Sequence, residues 1–306
     1  MASNVDELLD ALDERVRDEL ATKPEVVDKG HNLDVSALPI EARKWHRLTE
    51  GVAVVADLKS STRLDVDKHP ASTASIYEAA TGNVVRILGD FEADFIAIQG
   101  DGVVALFWGE RRLERAATAG VTVKTFSSRH LVPRLEKKWP TLPETGFKVG
   151  IAASQLLVKR VGIPRTEHQE PIWAGKAVNY ATKCAQEADR HKMVVTGSIW
   201  DWVAKNDYLA VSCECSTPSD GIWADITISR LADDDPEREG RVLTAAWCAV
   251  HGADYCEAVL GGKKSRPDVT DQVQKANVAQ MSNAARRIAA QRREARRNLL
   301  AQRGIR

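Results

Sequence analysis

A chain of 306 residues with 43% hydrophobic content can bury a sizeable core, as one large domain with appendages or as two modest ones, which excludes a disordered polymer. Five cysteines (Cys184, Cys213, Cys215, Cys248, Cys256) without framework spacing exclude a disulfide scaffold. Lys+Arg and Asp+Glu are both 43, so the formal charge is zero, but residues 5–20 are mostly acidic and residues 283–306 carry eight arginines against one glutamate.

In chain order, residues 4–21 predict an amphipathic helix, with Val5, Leu8, Leu9, Leu12, Val16 and Leu20 at helical spacing and Pro24 ending it. Residues 24–48, with Gly30 and Pro39, read as a linker, so residues 1–47 form an acidic helix and linker. Residues 51–56 predict a strand that ends on Asp57, followed by Leu58, Lys59 and three hydroxyl residues, Ser60, Ser61 and Thr62. A helix is expected over 71–88. Two apolar runs, 94–99 and 103–107, flank Gly100-Asp101-Gly102, a strong hairpin signal. Then come a helical stretch (110–138), a strand (147–153), a helix (176–189), a short strand (193–196) and late strands near 222–228 and 242–249. The order β-α-β-β-α-β-α-β predicts a ferredoxin-like α+β domain with one added unit, spanning 48–260. After Gly261-Gly262, residues 268–303 predict a long helix, making 261–306 a basic helical extension.

The N-terminus has no basic start or apolar core of a signal peptide, and no apolar run reaches the ~18 residues of a membrane span, so a soluble cytoplasmic protein without membrane insertion is expected. Cys213 and Cys215 form a C-x-C pair, but no second Cys or His pair is seen at zinc-like spacing. The cysteines therefore read as reduced, buried thiols, and the histidines are assigned no role.

The chemistry concentrates on Asp57 and Asp101. Either alone has a plain explanation: Asp is common at strand ends, helix caps and turns. In a β-α-β arrangement, however, their strands can be neighbours, and two carboxylates that close repel unless a cation lies between them. Mg²⁺ is held through one or two carboxylates together with substrate phosphates. Ser60, Ser61 and Thr62 are small and could offer backbone N–H groups to those phosphates ahead of a helix N-terminus. Lys59 reads either as a phosphate contact or as a solvated lysine. Gly100 and Gly102 serve the turn or the approach of phosphates, and Trp173 stacks on a base or fills the core.

Three segments carry a family resemblance. DLKSST (57–62) resembles the metal-binding loop of class III nucleotidyl cyclases, IQGDGVVALF (98–107) resembles their hairpin, and WAGKAVNYATK (173–183) resembles their catalytic helix. All three occur in family order, and the resemblance covers about residues 50–230. It implies that Asp57 and Asp101, with the Leu58 carbonyl, hold two Mg²⁺ or Mn²⁺ ions. It implies that Asn179 orients the ribose and that Lys183 stands where the family usually has a transition-state arginine. Lysine lacks the bidentate fork of arginine, so Arg160, Arg165 and Arg190 are further candidates for that cation. The family's sites form between two catalytic domains, so a single-domain chain is expected to homodimerise, one copy contributing Asp57 and Asp101 and the other Asn179 and Lys183.

The family's two base-reading positions fall on Ala97 and Ile172, neither of which makes the hydrogen bonds that read a purine. Gln155 occupies a position where some cyclases bind phosphate through arginine. Apolar base-reading positions, a lone catalytic domain and flanking helices resemble the bacterial pyrimidine cyclases of the Pycsar antiphage system. That resemblance implies UTP as substrate, with CTP as the alternative, and a cyclic mononucleotide signal sensed by a separate effector protein. Two other classes of function stay open. One is a cyclase-like domain that binds nucleotide or partners without turnover. The other is a nucleic-acid binder using the C-terminal arginines, although those arginines could instead pair with the acidic N-terminal helix or dock a membrane-bound effector.

Overall fold

The computed structural model describes residues 4–38, 40, 43–66, 68–163 and 166–269; the expected helix over 268–303 and Arg165 lie essentially outside them. The first helix, α1 (Val5–Ala21), is capped by the Asn4 side chain, which accepts from the Asp6 amide. Its apolar stripe is open to solvent, with Leu20 79% exposed, and Arg43 ties its end to the body by donating to the Glu19 and Thr22 carbonyls. The segment expected to be a linker contains a strand, β1 (Glu25–Gly30), which pairs in parallel with β2 (Lys44–Lys59). Five- and six-residue strands are hard to see in sequence when they lack alternation, and β1 has no buried residue.

Among the described residues a single nine-stranded sheet runs in the order β3 (Phe95–Gln99), β4 (Gly102–Phe107), β2, β5 (Gly146–Gly162), β7 (Met193–Val195), β9 (Glu239–Leu243), β8 (Trp223–Thr227), with β1 added beside β2 and β6 (Gln169–Gly175) beside β5. Its centre is β2, antiparallel to β4 (Gly102–Phe107) on one side and to β5 (Gly146–Gly162) on the other. Both faces of β2 are covered, so its 52–58 run is nearly continuous in apolar residues. Val52, Val54, Ala56 and Leu58 (at most 2% exposed) face a core built with α2 (Pro70–Tyr77), α3 (Asn83–Asp90) and α4 (Arg112–Phe126). Burial of each such Val or Leu stabilises the fold by roughly 1.5–3 kcal/mol. Ala53 and Val55 face the other way, onto α6 (Lys176–Glu187).

The hairpin expected around Gly100-Asp101-Gly102 is present as β3 (Phe95–Gln99) and β4, with Gly100 at φ +64°, a conformation that costs glycine nothing. The single helix expected over 71–88 is α2 and α3 joined by a π turn at Glu78–Gly82, and that expected over 110–138 is α4 and α5 (Val132–Lys138) around a second π turn. The strand expected at 147–153 is far longer. β5 continues to Gly162 and turns back as β6 (Gln169–Gly175), an arm in which polar and charged residues interrupt the apolar run while Leu156 and Val158 are fully buried. Downstream lie β7 (Met193–Val195), α7 (Gly197–Val203), α8 (Asp207–Ala210), β8 (Trp223–Thr227), β9 (Glu239–Leu243) and α9 (Gly252–Leu260).

Lys124, on α4, is an ionisable group inside the core. It is 1% exposed, and its Nζ donates to the Thr244 carbonyl at 2.8 Å. Burial, with a smaller push from Arg129, lowers its pKa to about 8. The unfolded chain keeps this proton up to the ordinary lysine range, so between about pH 8 and 10.5 the unfolded state binds more protons than the folded one. The cost of burying the ammonium is therefore full below pH 8 and is relieved as pH rises through that window. Lys124→Met is expected to stabilise the protein at pH 7 by about 2 kcal/mol, after allowance for the lost hydrogen bond. Melting temperatures from pH 7 to 10 check this: the wild type should lose its deficit against the variant as pH rises.

Candidate active site

Register brings Asp57 and Asp101 to the same end of adjacent strands. In the β2–β4 ladder Ala56 lies opposite Val103, so the next positions along β2 run beside Gly102 and the turn residue Asp101. Asp57 alternates with Ala53 and Val55 and therefore leaves the sheet on the α6 side. The π turn at Glu78–Gly82 sets the Thr81 hydroxyl to donate to the Asp101 carbonyl at 3.3 Å, tying the hairpin tip to the preceding helix.

The structure adds a residue that sequence reasoning missed. Lys148 stands directly opposite Asp57 in the β2–β5 register, and its Nζ lies 2.5 Å from the Asp57 carboxylate. The signal available in sequence was one lysine inside an otherwise apolar run, FKVGIAA. The Asp57 and Asp101 carboxylates and the Leu58 carbonyl form an all-oxygen donor set, the kind that Mg²⁺ and Mn²⁺ take, and the residues fit such ions. Lys148 is the cation that pairs with Asp57 in this structure.

After β2 the chain turns sharply. Ser60 adopts φ +60°, uncommon for a residue with a side chain, and Ser61–Arg63 form one 3₁₀ turn. Leu64, fully buried, anchors that turn in the core, and the Tyr77 hydroxyl reaches the Ser61 carbonyl at 3.5 Å. Thr62 sits within the turn and is exposed. Lys59 is drawn elsewhere. Its Nζ lies 2.7 Å from Glu144 and 2.6 Å from Asp189, which raises the lysine pKa and holds both carboxyls below their ordinary range. The ammonium thus braces the β2–loop junction.

Asn179 and Lys183 stand one helical turn apart on α6. That helix packs its Ala177, Ala181 and Ala185 face into the sheet. The approach is so close that a Cβ on Gly150 of β5 would sit 2.0 Å from the Ala181 carbonyl oxygen. Asn179 is exposed, on the side of α6 turned away from its own sheet, and Lys183 is half-buried with its Nζ 5.6 Å from the Tyr180 ring centroid. Tyr180 itself donates to Asp235, which also pairs with Lys176 at 3.2 Å.

Among the other candidate cations, Arg160 donates to the Val35 carbonyl at 3.1 Å and Arg190 pairs with Glu144 at 3.0 Å. Ala97 follows Phe95 along β3, and Ile172, on β6, is 46% exposed. Trp173 serves the core: its ring centroid lies 5.1 Å from Phe95 and 5.6 Å from Trp108. Gln155 is exposed between the paired segments of β5. A groove of about 950 Å³ lined by His31, Asp94, Trp108 and Arg115 lies elsewhere and includes none of these residues.

No protein-family model matches the sequence. Among curated proteins, the chain is 64% identical over 287 residues to a uridylate cyclase of Micromonospora echinofusca, covering 94% of each chain. It is 47% identical to a uridylate cyclase of Propioniciclava tarda, over 85% of each. Among solved structures, the adenylyl cyclase CyaB from P. aeruginosa superposes with a TM-score of 0.51 at 12% identity, covering 74% of this chain and 99% of that one, which shows a shared fold.

Proposed function

The chain belongs to the uridylate cyclase family, and from that premise we propose that it converts UTP to 3′,5′-cyclic UMP and pyrophosphate at sites shared between two copies of itself. The observation that carries the mechanism is the register that sets Asp57 beside the Asp101 hairpin at the same end of adjacent strands.

Asp57 and Asp101 would hold the divalent cations of the class, with the Leu58 carbonyl as a further ligand. Bound there, such ions would supply Lewis-acid stabilisation of charge on the attacking and leaving oxygens. The chain's own residues do the rest. The Ser60-Ser61-Thr62 turn is sharp and small enough for phosphate oxygens to approach its backbone amides. Asn179 orients the ribose so that its 3′-oxygen faces the α-phosphorus, which converts an unfavourable encounter into a positioned one. The Lys183 ammonium stabilises the charge that develops on the α-phosphate as the P–O bond to pyrophosphate breaks.

Asn179 is exposed on the side of α6 turned away from the sheet that carries Asp57, which supports a reading in which the α6 that closes each site comes from the second copy. The arrangement is a two-fold homodimer with two equivalent sites. Ala97 and Ile172 supply no polar side chain at the base, which suits a small pyrimidine whose contacts come from elsewhere in the pocket. The resemblance to the Pycsar cyclases supports an antiphage second messenger, read by a separate effector protein, as the product.

Incubation of the purified chain with each of the four ribonucleoside triphosphates and Mn²⁺, followed by product separation, tests the reading. Cyclic UMP should dominate. Cyclic CMP as the main product, or nucleotide binding without turnover, would overturn it. Lys183→Ala should lower the rate about 10²-fold while Lys183→Arg retains most of it, as expected for a positive charge acting on the transition state.

A further inference from the structure

Three of the cysteines read from sequence as buried thiols are neither buried nor apart. Cys213 and Cys248 are half-buried and Cys215 is exposed, whereas Cys184 alone is fully buried. Cys213 and Cys215 come from the loop between α8 and β8. Cys248 and His251 come from the segment between β9 and α9, at a C-x-x-H spacing that the sequence reading passed over. The fold brings one donor atom from each to within 4.8 Å of all the others.

We propose that Cys213, Cys215, Cys248 and His251 form a structural zinc site. The donor set, three thiolates and one imidazole, is of the type that takes zinc in a closed tetrahedral site. Two thiolates on one zinc at about 2.3 Å lie about 3.8 Å apart across the tetrahedron edge, and Cys215 and Cys248 Sγ are 3.7 Å apart. His251 presents Nδ1 to the cluster, 3.1 Å from Cys213 Sγ and 3.3 Å from Cys215 Sγ. Its other nitrogen, Nε2, lies 3.2 Å from the Glu214 carboxylate. A carboxylate on the distal nitrogen fixes the ring's tautomer and orientation, the usual support of a metal-bound histidine. Two backbone amides also point at sulfur: Cys215 N–H donates to Cys213 Sγ and Val250 N–H to Cys248 Sγ, each at 3.4 Å. A Cys215–Cys248 disulfide would use two of the four donors and would give Cys213 and the Glu214–His251 pair no purpose.

The place of the cluster indicates its role. It joins the 213–215 loop to the start of α9 at the β8–β9 edge of the sheet, the edge opposite the β3–β4 hairpin that carries Asp101. Just behind it, Tyr255 of α9 packs edge-on against Tyr208 and lies under the Arg266 guanidinium. The ion would hold α9, and the chain that leaves it, against the domain without touching the nucleotide.

Metal analysis of the full-length chain purified without chelator tests this. One zinc per chain is expected, and it should persist in Asp57→Asn and in Cys184→Ser. Cys248→Ser and His251→Ala should lose it. To separate loss of the ligands from loss of the fold, the wild type is also refilled with Co²⁺ after zinc removal, and intense tetrahedral thiolate–cobalt bands are expected. A wild type that neither contains nor takes up zinc, iron in its place, or a mapped Cys215–Cys248 disulfide would overturn the assignment.

Discussion

Asp101→Asn is expected to abolish cyclic UMP formation, by about 10³-fold or more, while leaving the fold intact. Replacing a charged oxygen ligand by a neutral amide removes several kcal/mol of cation binding and transition-state stabilisation, and about 4 kcal/mol corresponds to 10³-fold in rate. Structure should not suffer, because Asn-Gly suits the hairpin as well as Asp-Gly does and Asp101 contributes its main-chain carbonyl, not its side chain, to Thr81. Asp57→Asn should match it in activity. It also breaks the pair with Lys148, whose members are 37% and 17% exposed, a contact whose loss moves the melting temperature by a few degrees at most. Product formation by chromatography and melting curves on both variants check the two halves together. Retained activity in both would remove the two carboxylates from the mechanism.

Gly150→Ala should do the opposite, costing stability first and activity as a consequence. The added Cβ would sit 2.0 Å from the Ala181 carbonyl oxygen, 2.4 Å from the Ala185 amide nitrogen and 2.9 Å from the Cys184 Cβ. The two nearest are backbone atoms, so no rotamer change relieves the clash and α6 must move away from β5. An overpacking cost of about 3–5 kcal/mol follows, which for a chain of this size lowers the melting temperature by roughly 10 °C. Because α6 carries Asn179 and Lys183, the variant that still folds should also lose activity. Gly89→Ala provides the contrast: that Cβ would meet nothing within 4 Å on α3, and the helix should gain about 0.5–1 kcal/mol. Comparable melting temperatures for the two variants would show that the α6–β5 contact tolerates a methyl group.

The parts of the fold that were legible in sequence are those whose signal is local. The Asp-Gly turn between two apolar runs located β3 and β4, and helical spacing located α1 and α6. What was not legible depends on partners. β1 and β6 are largely exposed strands whose sequences show no clean polar/apolar alternation, and they exist because long neighbours offer them a free edge. Lys59 reads as either a phosphate contact or a solvated lysine, yet two carboxylates 85 and 130 positions away claim its ammonium. Trp173 could be either a base platform or core, and packing against Phe95 and Trp108 decided for core.

By itself the sequence determined the order of the three motifs, the identity of the two acidic candidates, and the pairing of Asn179 with Lys183 one turn apart, because turn chemistry and helical periodicity act over a few residues. Only the tertiary structure decided that Asp57 meets Lys148, that Asn179 faces away from its own sheet, and that Cys213, Cys215, Cys248 and His251 converge. Those relations rest on strand register and loop closure, which balance conformational entropy over tens of residues against contacts that no local window contains.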